Sequence, residues 1–135
     1  MFAAHIKPNN MFKRIASDFR EIRDYVKDLY IVITSTIKIR LLIYMADLLQ
    51  KAYNRRFFVS VIEKPEGERL KIFDKQMFNK FKRRGWMPKH MTVLELQQKC
   101  FYSTPLSRNN KIDKQQRKDA VKKYQQYSKL MERIS

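Results

Sequence analysis

The residues of this chain whose chemistry stands out are cations gathered around one short turn. Five of them fall between residues 80 and 89, with no acidic residue among them. Lysine and arginine at a helix end suit phosphate groups, which position a protein on nucleic acid without reading its sequence. A tryptophan in the same stretch could stack on a base or on an arginine. The residues predicted to contact nucleic acid or an acidic partner are Lys80, Lys82, Arg83, Arg84, Trp86 and Lys89.

A structural interpretation of the same cluster stays open. Cations in the last turn of a helix interact favourably with the helix dipole, and the tryptophan would then belong to the core.

A second cationic segment ends the chain. Residues 105–135 hold nine basic and three acidic residues, and the pattern predicts a helix capped by Asp113. Its apolar stripe could pack on the chain's own core or dock on a neighbouring subunit, and the sequence leaves both open. We predict contacts to nucleic acid or an acidic partner through Arg117, Lys118, Lys122, Lys123, Lys129 and Arg133, and subunit docking through Tyr124, Tyr127 and Met131.

The residues that catalysis or metal binding needs are absent or scattered. His5 and His90 lie far apart, and Cys100 is the only cysteine, so the chain has no internal disulfide and no cysteine zinc site. Two glycines, Gly67 and Gly85, cannot build a phosphate-binding loop. We expect Cys100 to be a core residue rather than a nucleophile. The sequence therefore predicts no enzyme, no cofactor and no metal.

The net charge of the chain is extreme for its size. Its 135 residues carry 30 Lys and Arg against 13 Asp and Glu, a formal charge of +17. Self-repulsion of this size points to an anionic partner: nucleic acid, an anionic membrane or an acidic protein surface. A hydrophobic content of 44% and 13% aromatics are enough for a core, unlike a disordered basic tail.

The element at the N-terminus is a long helical pattern. A leader of residues 1–8 is followed by a stretch without Gly or Pro up to Pro65, with apolar residues spaced alternately by three and four. Seven of the nine residues 31–39 are β-branched, so one helix from about Asn9 to Asn54 and two helices broken near residues 34–36 both stay open. The single helix is favoured because the stripe stays in phase. One half should then project toward a partner, docking through Ile15, Phe19, Ile22 and Val26.

The remaining elements predict an α+β, mostly helical fold. Residues 57–73 read as a β-hairpin with the five-residue loop KPEGE. Short helices follow at residues 75–84 and 93–102, with residues 9–104 forming one domain and 105–135 a basic loop and helix. The two short helices resemble a helix-turn-helix only superficially. The second offers Gln97, Gln98 and Lys99 to base edges, too few for sequence-specific DNA recognition.

Membrane insertion and secretion are not expected. The longest apolar stretch, Leu29–Leu49, contains Lys38, Arg40 and Asp47, and a membrane span needs roughly 18 apolar residues with few charges. The first ten residues lack a basic start followed by an apolar run, so no secretory signal is predicted.

The order of elements in residues 46–104 resembles a known group. A helix ending ADLLQKAYNRR, the hairpin FFVSVIEKPEGERLKIF, the basic stretch FNKFKRRGWMPKH and then MTVLELQQKCFYSTP follow one another. This order is similar to small proteins of tailed phages of Bacteroidota, the crAss-like group among them. It covers under half of the chain and has no catalytic or ligand motif, so no functional residue carries over. The resemblance implies a virion or genome-associated component.

Together these patterns predict a non-catalytic structural component of a large nucleoprotein particle. The particle is expected to be a phage virion, in which the protein docks on other subunits and on packaged DNA through basic surfaces. Two alternatives are a ribosome-associated RNA-binding protein and a stand-alone DNA-binding regulator.

Overall fold

A computed structural model describes residues 8–107, 111 and 113–134, so the predicted leader lies outside the described residues except for Pro8. The α+β, mostly helical fold is confirmed. Described residues form four helices and one three-stranded antiparallel sheet of order β2-β1-β3. The elements are α1 (Pro8–Tyr53), β1 (Phe57–Lys64), β2 (Gly67–Asp74), α2 (Lys75–Arg83), α3 (Val93–Lys99), β3 (Tyr102–Ser103) and α4 (Lys114–Ile134).

The N-terminal pattern forms one unbroken helix, as favoured from the phase of its stripe. α1 has 46 residues, which gives a length of about 69 Å at 1.5 Å per residue. The hydroxyl-bearing residues of the β-branched stretch bond to the preceding turn: Thr34 Oγ1 donates to the Tyr30 carbonyl at 2.8 Å, and Thr36 Oγ1 to the Val32 carbonyl at 2.5 Å. The helix ends at Tyr53, and the next residue, Asn54, has a left-handed φ of 54°.

The hairpin is present, but its loop is shorter than predicted. Lys64 pairs directly with Gly67, so Pro65 and Glu66 alone connect the strands. Gly67 has a φ of +125°, a conformation that side-chain-bearing residues rarely adopt, and this lets the ladder continue to the turn. The five-residue loop prediction is therefore wrong.

The third strand was not predicted. The helix expected over residues 93–102 ends at Lys99, because Cys100 turns to extended backbone (φ −65°, ψ 159°). The chain then runs antiparallel to β1, with Phe58 opposite Ser103 and Val59 opposite Tyr102.

Two cores lie on the two faces of the sheet. Successive residues of β1 point to opposite faces, so Phe58 joins one core and Val59 the other. The first core packs α2 and α3 on the sheet, and the second packs α1 and α4 on the other side. The C-terminal helix is thus part of the core. Central residues are Phe58, Ile62, Phe73, Phe78, Phe81 and Leu96 in the first, and Ile39, Ile43, Ala46, Val59, Tyr102, Ala120 and Tyr124 in the second.

The two halves of α1 differ in burial. Every residue from 11 to 30 is exposed, whereas Ser35, Ile39, Ile43, Ala46 and Gln50 are buried against the sheet and α4. The first half therefore projects from the body of the molecule.

By length and composition alone, α1 is long and apolar enough over Met11–Tyr53 to cross a membrane, through an 18-residue stretch with at most two charged residues. Its second half nevertheless carries the ion pair of Asp47 with Arg117 and packs on the protein's own core.

Candidate nucleic-acid interface

Helix α2 presents its charges outward because its apolar residues point into the core. Asp74 caps the N-terminus, its Oδ1 accepting a hydrogen bond from the Met77 amide at 2.9 Å. Phe78 and Phe81 are buried under the sheet. The polar residues of the helix consequently share the solvent side.

Three of the predicted contact residues are free for a ligand. Lys80, Arg83 and Lys89 are exposed, and within the described part of the chain none of them pairs with a carboxylate. Gln76 and Asn79 stand two turns and one turn before Arg83 on the same helix face. A depression of about 690 Å³ is lined by Gln76, Asn79, Lys82, Arg83 and Lys89.

Sequence reasoning missed the two amides of this depression. Gln76, Asn79 and Arg83 are spaced by three and four, which places them on one face of a helix. That spacing could have added both residues to the predicted site.

Lys82 is used inside the molecule instead of on its surface. Its Nζ donates to the Met91 carbonyl at 3.2 Å and lies 4.5 Å from the Phe78 ring centroid. The side chain thus ties α2 to the connection before α3.

Trp86 serves the core and an internal cation stack. Its ring centroid is 5.7 Å from that of Phe81, while the Arg84 guanidinium and the Lys64 ammonium lie 4.9 and 5.0 Å from it. The Glu63 amide also donates to the Trp86 carbonyl at 3.0 Å. Of the two interpretations of Trp86, this placement agrees with packing on the core. A base could stack on the ring only by displacing a cation.

Two predicted contact residues of α4 are also used within the chain. Arg117 forms an ion pair with the buried Asp47, which accepts a second hydrogen bond from the Tyr102 hydroxyl at 2.7 Å. Lys123 Nζ donates to the last carbonyls of α3, including that of Cys100 at 2.9 Å. Both cations hold α4 in place, so the prediction that they face a partner is corrected.

The other α4 cations are exposed. Lys118 and Lys122 line a groove of about 620 Å³ together with Arg40 of α1. Lys129 and Arg133 lie further along the same helix. These residues form a second cationic surface, on the opposite side of the sheet from α2.

The tyrosines predicted to dock on a subunit pack inside the molecule. Tyr124 is buried, and its ring and that of Tyr127 lie 5.2 and 5.4 Å from the Phe101 ring. The Tyr127 hydroxyl donates to Glu68, and burial together with that carboxylate raises the Tyr127 pKa. The docking prediction for Tyr124 is corrected, since the core covers its surface, whereas Tyr127 packs on the core and stays partly exposed. Met131 remains partly exposed.

The docking residues predicted on α1 are open to solvent. Ile15, Phe19, Ile22 and Val26 are 45%, 65%, 59% and 59% exposed and share one face of the projecting half. Nothing in the described part of the chain covers them.

Cys100 is placed where a nucleophile would be ineffective. It is buried, its Sγ donates to the Gln97 carbonyl at 3.4 Å, and burial raises its pKa to about 11. Among the described residues, no three His, Cys, Asp or Glu side chains are grouped to hold a metal.

No protein-family model, curated protein or solved structure matches this chain. Its function is therefore argued from the placement of its residues.

Proposed function

We propose that this protein is a non-catalytic structural subunit of a large nucleoprotein particle, a tailed-phage virion being the particle that the resemblance implies. Its α2 surface, defined as Gln76, Asn79, Lys80, Arg83 and Lys89, contacts nucleic-acid phosphates without reading sequence. The projecting half of α1 docks on another subunit.

The observation that carries the proposal is the unpaired charge of the α2 surface. Residues 75–89 contain six cations and no acid. Three of them, Lys80, Arg83 and Lys89, are exposed and lack a carboxylate partner among the described residues. Lys80 and Arg83 gain a modest interaction with the dipole of α2, but repulsion within the cluster stays uncompensated in the fold, whereas a phosphate backbone neutralises it and releases counterions.

The amides beside these cations support a nucleic-acid ligand. Gln76 and Asn79 can donate to phosphate oxygens or sugar hydroxyls, as polar uncharged side chains commonly do in nucleic-acid complexes. α3 adds little, because its exposed residues include the apolar Leu94 and the acidic Glu95, which leaves Gln98 and Lys99 as the exposed polar groups that could donate. Sequence-specific recognition is therefore not proposed.

The test is a salt titration of nucleic-acid binding with two charge-matched variants. Changing Lys80, Arg83 and Lys89 to Gln removes three proposed phosphate contacts. The slope of log K against log salt should fall by about 0.9 per contact on duplex DNA and about 0.7 on single strands. The control changes Lys13, Arg20 and Lys27, also two lysines and one arginine, all exposed on α1.

Equal loss of affinity in both triple variants would mean that net charge alone binds, without a site. An affinity that does not vary between roughly 50 and 200 mM salt would remove nucleic acid as the ligand. Binding to an acidic protein but not to DNA or RNA would overturn the proposal in favour of that partner.

Particle membership is tested by mass spectrometry of purified virions and ribosomes. A fixed stoichiometry in virions after a high-salt wash is the expected result. Recovery with ribosomal subunits, or from neither particle, would favour the ribosomal protein or the free regulator.

A further inference from the structure

We propose that the projecting half of α1 pairs with the same segment of a second copy of this chain, as an antiparallel two-stranded coiled coil. This inference names the docking partner in the proposed function and rests on it.

The surface concerned is an apolar stripe with coiled-coil spacing. Its members follow one another at intervals of three and four over three heptads, and each is 45–71% exposed. We define the α1 stripe as Phe12, Ile15, Phe19, Ile22, Val26, Leu29 and Ile33.

The molecule's own body does not cover this stripe. The buried face of the second half of α1, through Ile39, Ile43 and Ala46, lies roughly 130° around the helix from it at 3.6 residues per turn. Exposed Ile37, Leu41, Tyr44 and Leu48 continue the stripe along the outer side of the body. A partner can therefore lie along α1 without displacing any part of the fold.

The charge of the projecting half argues against a polyanionic occupant. Residues 11–33 hold five basic and four acidic residues, a net +1, so the rest of the chain carries +16. A nearly neutral helix with an apolar seam suits another helix of the same kind. Nucleic acid would bind elsewhere on the molecule.

The stripe offers enough area for a stable pair. At these exposed fractions, the six side chains from Phe12 to Leu29 present on the order of 600 Å² per chain, the lower end of the roughly 600–1,000 Å² per partner that specific protein interfaces bury. An apolar patch of this size on a soluble surface usually marks an interaction site.

An antiparallel register makes the stripe complementary to itself. Setting Phe19 opposite Ile22 of the second copy also brings Phe12 to Leu29 and Ile15 to Val26, so each large ring meets an aliphatic side chain. The interface has two-fold symmetry, so if one residue contacts a second residue of the partner copy, the second also contacts the first across the interface. A parallel pair would place Phe12 on Phe12 and Phe19 on Phe19 at a positions and isoleucine on isoleucine at two of the three d positions. Parallel dimers favour Ile or Val at a and Leu at d, which only the last layers of the stripe, from Val26 on, provide.

Charge separation supports the same orientation. Burial in the body begins at Ser35, and in this register the two Ser35 residues lie about 40 Å apart along the axis. The two charged bodies are therefore separated by several times the Debye length, which is ~8 Å at physiological salt. The parallel arrangement would hold the two bodies side by side, and residues 34–135, which contain the body, carry +15 in each copy. The residues that flank the α1 stripe also face no like charge in the second copy. Asp18 of one copy lies beside Tyr25 of the other, and Ala16 lies beside Arg23.

The first test is sedimentation equilibrium of the full chain without nucleic acid. We expect twice the chain mass of 16.5 kDa. Ile22→Glu should give a monomer, and Ser17→Glu, which adds the same charge on the other side of the helix, should remain a dimer. A monomeric unmodified chain, a trimer or larger species, or a dimer insensitive to Ile22→Glu would overturn the proposal.

The second test is disulfide formation in a Cys100→Ala background. Mixing Ile15→Cys chains with Val26→Cys chains should give the mixed disulfide, because the register brings these positions together. Preferential 15–15 and 26–26 disulfides would overturn the antiparallel arrangement.

Two further readouts separate the inference from the proposed function. Ile22→Glu should retain the salt-dependent affinity for nucleic acid, while the Lys80, Arg83 and Lys89 triple variant should retain the dimer. If the unmodified chain instead stays monomeric and binds anionic phospholipid vesicles through a stripe that Ile22→Glu disables, the occupant is a membrane and the inference is wrong.

Discussion

At the scale of residues, the thiol of Cys100 gives the most direct prediction. Its pKa of about 11, against an ordinary 9, leaves a thiolate fraction about 100-fold lower at pH 8. We expect iodoacetamide to alkylate the native protein at least 100-fold more slowly than the urea-unfolded chain. A native rate close to the unfolded rate would contradict the buried placement of the thiol.

The same shift makes stability depend on alkaline pH. Because the folded state holds the proton more tightly than the unfolded chain, Cys100 contributes fully below about pH 9 and loses that contribution as pH rises through about 11. The difference in unfolding free energy between the unmodified protein and Cys100→Ala should shrink over that interval. Groups present in both proteins contribute equally to the pH dependence of each, so their contributions cancel in the difference. Tyr102 and Tyr127, whose pKa values are also raised, are among them.

Single cations illustrate why residue types alone overestimated the contact surface. Lys82, Arg117 and Lys123 were predicted to face a partner, yet their partners are the Met91 carbonyl, Asp47 and the end of α3. Asp47 is 70 residues from Arg117 in the chain, so only the folded structure brings them together. The predicted contact cations without such a partner in the described residues, those of the α2 surface and of the exposed face of α4, are the ones left for a ligand.

At the scale of elements, local patterns predicted what depends on local physics. The phase of the α1 stripe, the Asp74 cap and the cap at Thr92 are all present. β3 could not be predicted, since two residues become a strand only because β1 leaves an open edge beside them. The shorter hairpin loop likewise depends on one backbone angle, at Gly67. Tyr124 and Tyr127 pack against the core because α4 joins it. The apolar stripe of α4 alone did not decide between packing on the core and docking on another subunit.

The contrast between the halves of α1 predicts that the projecting half is dispensable for folding. Residues 11–30 include no buried residue, so deleting the chain up to residue 30 should change the unfolding free energy of dilute protein by less than about 0.5 kcal/mol. Urea denaturation followed by circular dichroism measures this.

Deletion through residue 40 is the matching control for that truncation. It removes Ile39, which is fully buried, along with Ser35, and losing a buried isoleucine alone costs about 2–5 kcal/mol. Equal stability of the two truncated chains, or loss of cooperative unfolding in the shorter deletion, would contradict the division of α1 into a projecting and a packed half.

At the scale of the whole molecule, charge and apolar surface are segregated. Residues 34–135, which contain the body, carry a net +15, and they follow a nearly neutral projecting helix that bears the exposed α1 stripe. The α2 surface and the groove beside Lys118 and Lys122 lie on opposite sides of the sheet. Two copies joined through α1 would thus hold cationic bodies at both ends of a rod, an arrangement suited to bridging separate stretches of a polyanion.

This segregation predicts how salt and charge removal change thermal stability. Repulsion within the body, whose residues 34–135 carry +15, opposes folding. It weakens as the Debye length falls from ~30 Å at 0.01 M salt to ~8 Å at 0.15 M, so the Tm should rise over that range. At low salt, changing Lys80, Arg83 and Lys89 to Gln should raise the Tm by about 1–3 °C. Changing Lys13, Arg20 and Lys27 should raise the Tm less, because four acids on the projecting half of α1 offset those charges. Scanning calorimetry of the unmodified protein and the two variants at both salt concentrations measures these shifts in Tm. Equal shifts in the two variants would show that repulsion is spread evenly over the chain. A lower Tm in the α2 variant would show that Lys80, Arg83 and Lys89 stabilise the fold.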